Sequence, residues 1–285
     1  MHNFASGPKT SYYGKGDVTV YRLNRDGAHH PAVFGANVLI LIYGDAFWPT
    51  YTTGDNSRLV ATDSMKNFIQ RETLNFTGSD LESYCNFIAE KFLATYPQAE
   101  GAQVSASQIP YENLPGSSGV AFAPSGPDRA HAQVELTRAG TALQISEARS
   151  GIQGLRLLRL NGSAFTGFVR DQYTTLPDIT NRPLHMWLDL DWTYTDCNAA
   201  FTSGAVTGSV RKLVHDVFDN FESGSIQQII YQIGTRMLAD VPVIAEINLE
   251  AHNRTWDTVV ERGQSIGVFT DPRPPFGCLG LTMKR

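Results

Sequence analysis

The sequence predicts an α+β fold in which antiparallel sheets carry helices on one face. Three observations predict it: β-branched runs separated by turn residues, helical stretches with a single apolar stripe, and a second half that repeats the element order of the first. The two series, residues 1–140 and 141–285, each read strand-strand-helix-helix-strand-strand and join near Gly140. Sheets built this way leave open edges that another subunit commonly covers, so oligomerisation is expected.

Residues 17–25 and 33–45 are β-branched and apolar around Asp26 and Gly27, the pattern of a long hairpin. Residues 64–72 contain no Gly or Pro and place Met65, Phe68 and Ile69 on one helical face. The next helix is expected to open on a capping box of Ser79 and Glu82, to align Leu81, Tyr84, Cys85, Ile88 and Phe92, and to stop at Pro97. Strands at 103–109 and 131–137 close the first series. In the second, strands are expected at 141–150, 154–159, 166–170 and 185–194, then helices at 206–221 and 225–239. Two closing strands follow. In the first of them Val243, Ala245, Ile247 and Leu249 alternate with Glu246, Asn248 and Glu250, giving one dry face and one wet.

Composition narrows the function. With 285 residues, 42% of them hydrophobic and 18% charged, the chain can bury a sizeable core. A net charge of -5 without any Lys/Arg run lacks the footprint for nucleic acid or an anionic membrane. The longest apolar run, Val38-Leu39-Ile40-Leu41-Ile42-Tyr43, is strand-length, and the first residues lack a basic start followed by an apolar stretch. A soluble, unexported protein is expected. Cys85, Cys197 and Cys278 are odd in number, far apart and in no C-x-x-C, which fits free thiols in a reducing cytoplasm. The seven histidines have no metal-ligand spacing, and nucleophile-elbow, Walker and dinucleotide motifs are missing, so neither a metal nor an organic cofactor has an evident seat.

Four polar segments stand at the ends of expected elements: Tyr13-Gly14-Lys15-Gly16-Asp17, Val60-Ala61-Thr62-Asp63-Ser64, Gly167 to Leu176 with its Arg170, and Asn253-Arg254-Thr255-Trp256-Asp257. In this order and at these separations, together with Asp55-Asn56-Ser57 and Pro274-Pro275-Phe276-Gly277, they resemble the uricase family over most of the chain. The resemblance implies tandem tunnelling-fold units that close into a barrel on forming a homotetramer, with active sites at subunit interfaces. It implies that Lys15, Thr62 and Asp63 of one subunit face Phe165, Arg182, Ile226, Gln227 and Asn253 of the neighbour. It also implies a reaction: urate is oxidised by O2 to 5-hydroxyisourate and H2O2, in purine degradation toward allantoin, with no cofactor.

Those residue types suit a flat, anionic heterocycle. Arg182 offers a bidentate fork and Gln227 a donor and acceptor in one planar amide, so together they can grip one edge of the ring. Phe165 supplies a stacking face worth about 1 kcal/mol beyond its buried area. Thr62 and Asn253 would hold water, oxygen or peroxide above the ring, and Lys15 would accept a proton through Thr62. Asp63 and Ile226 are read as positioning urate through their main-chain amides. Taken singly, the same residues have plainer roles: Thr62 and Asp63 suit a helix N-cap, Phe165 a core.

One departure concerns the proton relay. Many family members carry a histidine just after the Asn of the oxygen site; here His252 precedes Asn253, and adjacent strand residues face opposite sides. His252 therefore assists only if a bulge turns it inward, and Thr255 or a water could replace it. Two other readings stay open, a zinc-dependent pterin-type enzyme of the same fold and a non-catalytic purine-binding protein. The terminal Met283-Lys284-Arg285, unlike a Ser-Lys-Leu address, suggests a bacterial-type cytoplasmic enzyme.

Overall fold

A computed structural model describes residues 4, 9, 11–25, 32–202, 206–263, 265–271 and 274–285. Contacts group the chain into two units, Met1–Gly151 with Thr193–Gly204 and Ile152–Trp192 with Ala205–Arg285.

Unit 1 is built from strands β1 (Tyr13–Leu23), β2 (Val33–Tyr43), β3 (Gly101–Gln108) and β4 (Arg129–Ala139), hydrogen-bonded in that order, with β5 (Ala142–Arg159) next to β4. The pairs β1/β2, β2/β3 and β3/β4 are antiparallel. The hairpin turn expected around Asp26 and Gly27 lies outside the described residues. Along β2 the even positions Ala36, Val38, Ile40 and Ile42 have no exposed surface. They belong to one core with Met65 and Ile69 of helix α1 (Thr62–Glu72) and Ile88 and Phe92 of helix α2 (Leu81–Thr95). Each of the larger of these side chains stabilises the unit by roughly 1.5–3 kcal/mol.

The expected capping box at Ser79 and Glu82 does not form. Asp80 is the N-cap, and its carboxylate accepts the Ser83 N–H at 2.8 Å. Glu82 is thereby released to turn inward, where the Ser150 hydroxyl donates to it at 2.5 Å and lies 2.7 Å from the Tyr194 hydroxyl. Burial pushes the Glu82 carboxyl above its ordinary range.

Unit 2 contains the remainder of β5, then β6 (Leu184–Tyr194), β7 (Ile244–Asn253) and β8 (Gly277–Lys284) in that order, with β7 and β8 antiparallel. Helices α3 (Val206–Asn220) and α4 (Ile226–Asp240) bury Val210, Val214, Ile229, Ile233 and Met237. The two strands expected at 141–150 and 154–159 are one of 18 residues, because Gly154 at φ 77° donates its N–H to Asp189 at 2.6 Å and the chain continues through. The strand expected at 166–170 is absent. Gly162 and Gly167 take φ of 76° and 72°, and their N–H groups go to the Asn181 and Asp178 side chains rather than to a neighbouring strand. The wet and dry alternation holds from Ile247 through Leu249 to Ala251, but at the strand start Ile244, of the opposite parity, is buried and Val243 is not. The Ile244 N–H bonds Val241 in the turn leaving α4, which delays the strand.

Candidate active site

In unit 1 the site residues are placed by a bulge and a helix start. Along β1, Tyr13 and Lys15 pair with Ile42 and Ile40, whereas Val18 and Val20 pair with Val38 and Ala36. One extra residue is therefore accommodated between Lys15 and Val18, where Asp17 takes φ 57° and the Asn37 amide donates to Asp17 at 2.6 Å and to Thr19 at 3.1 Å. Without the bulge an odd-numbered Lys15 would face away from Val18. With it, Lys15 lies on the helix side of the sheet. A Cβ on Gly14 would overlap the Ile40 carbonyl, so only glycine allows the approach. Tyr13 ties this strand to the segment before α1, since the Val60 N–H donates to its hydroxyl at 2.9 Å; burial pushes the Tyr13 phenol up to about 12.

Thr62 and Asp63 do not cap α1. The N-cap is Ala61, without a side-chain bond, and Thr62 and Asp63 are the first two helical residues, both exposed. Their backbone N–H groups thus belong to the helix's unspent donors. The Asp63 carboxylate is occupied by Lys66 at 2.6 Å and Asn67 at 2.8 Å. The Lys66 hydrogen bond and charge, with smaller help from Asn67 and the Lys15 charge, hold it below the usual carboxylate range. An ionised Asp63 turned to its own helix is no proton donor, in keeping with a main-chain role.

Unit 2 encloses a cavity of about 480 Å³ whose lining includes Phe165, Arg182, Ile226, Gln227 and Asn253. Five residues expected from separate stretches of sequence thus share one space. Arg159 organises it. Its guanidinium donates to the carbonyls of Phe218 (3.0 Å), Phe221 (2.5 Å) and Gly162 (2.7 Å) and to the Ser163 and Ser223 hydroxyls, tying the segment before Phe165 to the turn before α4. Phe165 exchanges both backbone hydrogen bonds with Ile179 and stacks on Phe168 with ring centroids 5.0 Å apart. Ser225 caps α4 by accepting the Gln228 N–H, while the Gln228 amide oxygen takes the Gly224 N–H. Ile226 and Gln227 are the first residues beyond that cap, so their N–H groups are available toward the cavity.

Arg182 gives the cavity its charge preference. Among the described residues no carboxylate pairs with its guanidinium, Nε is buried with no hydrogen-bond partner, and burial pushes its pKa below the ordinary value. A half-buried cation without a counter-ion beside Gln227 is a receptor for a planar anion.

The other expected residues lie outside this lining: Lys15, Thr62 and Asp63 belong to unit 1, and His252 is not among the lining residues although Thr255 is. The β7/β8 register runs without a shift through His252 and Asn253, so the bulge needed to turn His252 inward does not occur. His252 shares the face of Glu250, its Nε2 2.8 Å from that carboxylate. Sequence reasoning missed His185 and Trp256 in the lining, and Arg159 behind it. Burial, with the Arg156 and Arg254 charges, pushes the His185 imidazole below its ordinary value and keeps it neutral near pH 7. A polar position on the outward side of an otherwise alternating strand was the available signal.

The uricase family model matches residues 11–140 and 148–277. The chain belongs to the uricase family. It is 36% identical to a uricase of Haloferax volcanii, over 96% of this chain and 97% of that one. It is also 36% identical to the uric acid degradation bifunctional protein of Bacillus subtilis, over 97% of this chain, and spans 61% of that longer relative. The urate oxidase of Bacillus sp. TB-90 superposes with a TM-score of 0.88 at 36% identity, covering 97% of this chain and all of that one. The uricase of Arthrobacter globiformis does so at 0.84 and 28% identity, covering 96% and 93%. The family match thus covers both element series. No helix among the described residues is long and apolar enough to cross a membrane.

Proposed function

We propose that the chain is a cytoplasmic urate oxidase, a homotetramer that uses O2 and no cofactor. Urate, O2 and water become 5-hydroxyisourate and H2O2. The observation that carries this reading is the unpaired Arg182 guanidinium in a cavity with Gln227, Phe165 and Asn253, matched to an anion with adjacent oxygen and nitrogen acceptors on one edge. Arg182 and Gln227 hold that edge, Phe165 stacks on the ring, and the Ile226 amide adds a donor. Lys15, Thr62 and Asp63 of a second protomer complete the site and close the barrel. Lys15 takes the urate proton through the Thr62 hydroxyl; the dianion gives an electron to O2, the radicals combine at a ring carbon, and water displaces peroxide. Asn253 and Thr62 bind oxygen and then peroxide, and Thr255 or a water completes the relay. The free thiols Cys85, Cys197 and Cys278 fit a reducing compartment.

The test follows urate absorbance, oxygen uptake and peroxide release together on purified, chelator-treated protein. Parallel turnover that vanishes in Lys15→Met and in Thr62→Ala supports the reading. Mixing refolded Lys15→Met and Arg182→Ala chains distinguishes a shared site from one within a protomer: random assembly regenerates about a quarter of the native sites across a shared interface and none otherwise. Binding of a urate-like inhibitor without turnover would favour a non-catalytic purine binder, and turnover that requires stoichiometric zinc a pterin-type metal enzyme.

A further inference from the structure

Outside the substrate cavity, β7 and β8 bring together three side chains of different chemistry. His252 pairs with Cys278 and Glu250 with Gly280 across the antiparallel register, and Glu250 and His252 are two apart on one strand, so all three project from the same face. Their donor atoms, a carboxylate oxygen, an imidazole nitrogen and the Cys278 sulfur, lie within 4.8 Å of one another. None of the three lines the cavity.

We propose that Glu250, His252 and Cys278 form a site for a thiophilic divalent cation of zinc type, which clips together the two ends of the 254–276 segment. The donor set is that of an open tetrahedral centre, three protein ligands with water in the fourth position. Donors at about 2.0–2.3 Å from such an ion are roughly 3.3–3.7 Å apart, which side-chain rotation of Glu250 and Cys278 reaches from the present spacing. Room for the water exists because the residue opposite Glu250 is Gly280, where an added Cβ would meet nothing nearer than the Leu249 carbonyl at 4.0 Å. The His252 ring is steadied by Phe276, centroids 4.4 Å apart. Arg254 approaches Nδ1 at 3.5 Å, too long to hold the imidazole, and its guanidinium is carried by the Trp187 and Phe276 rings at 4.0 and 3.9 Å. An ion at Nε2 moves the ring proton to Nδ1 and breaks that long Arg254 contact, in which Nδ1 is the acceptor. Sulfur in the set selects a zinc-class ion over magnesium or calcium. Binding converts the Cys278 thiol to thiolate and releases one proton to solvent.

The consequence is mechanical. The segment between the two strands supplies Arg254, Thr255, Trp256 and Phe269 to the cavity, so a clip at its base fixes that wall without contacting substrate. The proposal is independent of urate turnover. The experiment titrates Co2+ into the reduced, chelator-treated full chain and records the thiolate-to-cobalt charge-transfer band. One cobalt per chain is expected, with the band lost in Cys278→Ser, retained in Cys197→Ser, and the affinity lowered more than about ten-fold in Glu250→Gln. A wild-type protein without the band, or a band that survives Cys278→Ser, overturns the proposal. A second measurement needs no variant: zinc should slow alkylation of Cys278, mapped by peptide mass, about ten-fold while Cys197 is unaffected. Equal labelling with and without zinc also overturns it.

Discussion

The two units hold their site residues in opposite ways. In unit 1, Thr62 and Asp63 are exposed at a helix start and Lys15 is half-buried beside a bulge, all on regular elements with short local supports. In unit 2, Phe165 and Arg182 come from the irregular 160–183 segment and are held by a half-buried arginine and side-chain-to-backbone bonds. One unit offers donors to whatever approaches it; the other encloses a space with an unbalanced charge. Under the proposed function the difference divides the labour, with recognition in the cavity and proton transfer at the exposed elements.

The sharpest way to break that assignment is to remove each side in turn. Arg182→Ala should lower kcat/KM by about 10²–10³-fold, roughly 3–4 kcal/mol, and abolish binding of 8-azaxanthine, whereas Lys15→Met should abolish turnover with inhibitor binding retained. Equal loss of inhibitor binding in both variants would dissolve the distinction. Next in size is Arg159→Ala. It orphans several carbonyls and hydroxyls at once and should destabilise unit 2 by about 3–5 kcal/mol in chemical denaturation, with turnover lost as well. An unchanged melting curve would show that the irregular segment is held some other way. Gly14→Ala should cost about 1–3 kcal/mol through its overlap with the Ile40 carbonyl, and should lower kcat more than it raises KM, since it shifts Lys15 and leaves the cavity intact.

The smallest effect is a pH dependence within unit 1. Burial raises the Glu82 carboxyl in the folded state, so its protonated form is favoured there. The contribution to stability is complete below the unfolded carboxyl value and is lost as pH rises through the folded one. Glu82→Gln should therefore flatten the stability profile on the mildly acid side, and a denaturation midpoint whose pH slope matches wild type there would refute this role.

Most of the fold was legible because side-chain periodicity reports burial directly: α1, α2, α3, α4 and β7 are found within a few residues of where their stripes put them. What failed involved competition for backbone donors. Asp80 displaced the Ser79 and Glu82 box, and Asp178 withdrew the Gly167 N–H from the strand expected at 166–170. The cavity residues were legible only as a joint resemblance, since Phe165 or Gln227 alone carries no chemistry. The meeting of Glu250, His252 and Cys278 was not legible, because it is made by a cross-strand register between residues more than twenty positions apart.

The bulge at Asp17 makes the orientation of Lys15 a matter of counting. Strand positions alternate like even and odd numbers, and β1 inserts one extra count just after the lysine, so parity changes sign between the site and the core. Deleting a single glycine there would leave every functional side chain in the sequence and still aim the lysine at the wrong side of the sheet. In this chain a length is part of the candidate site.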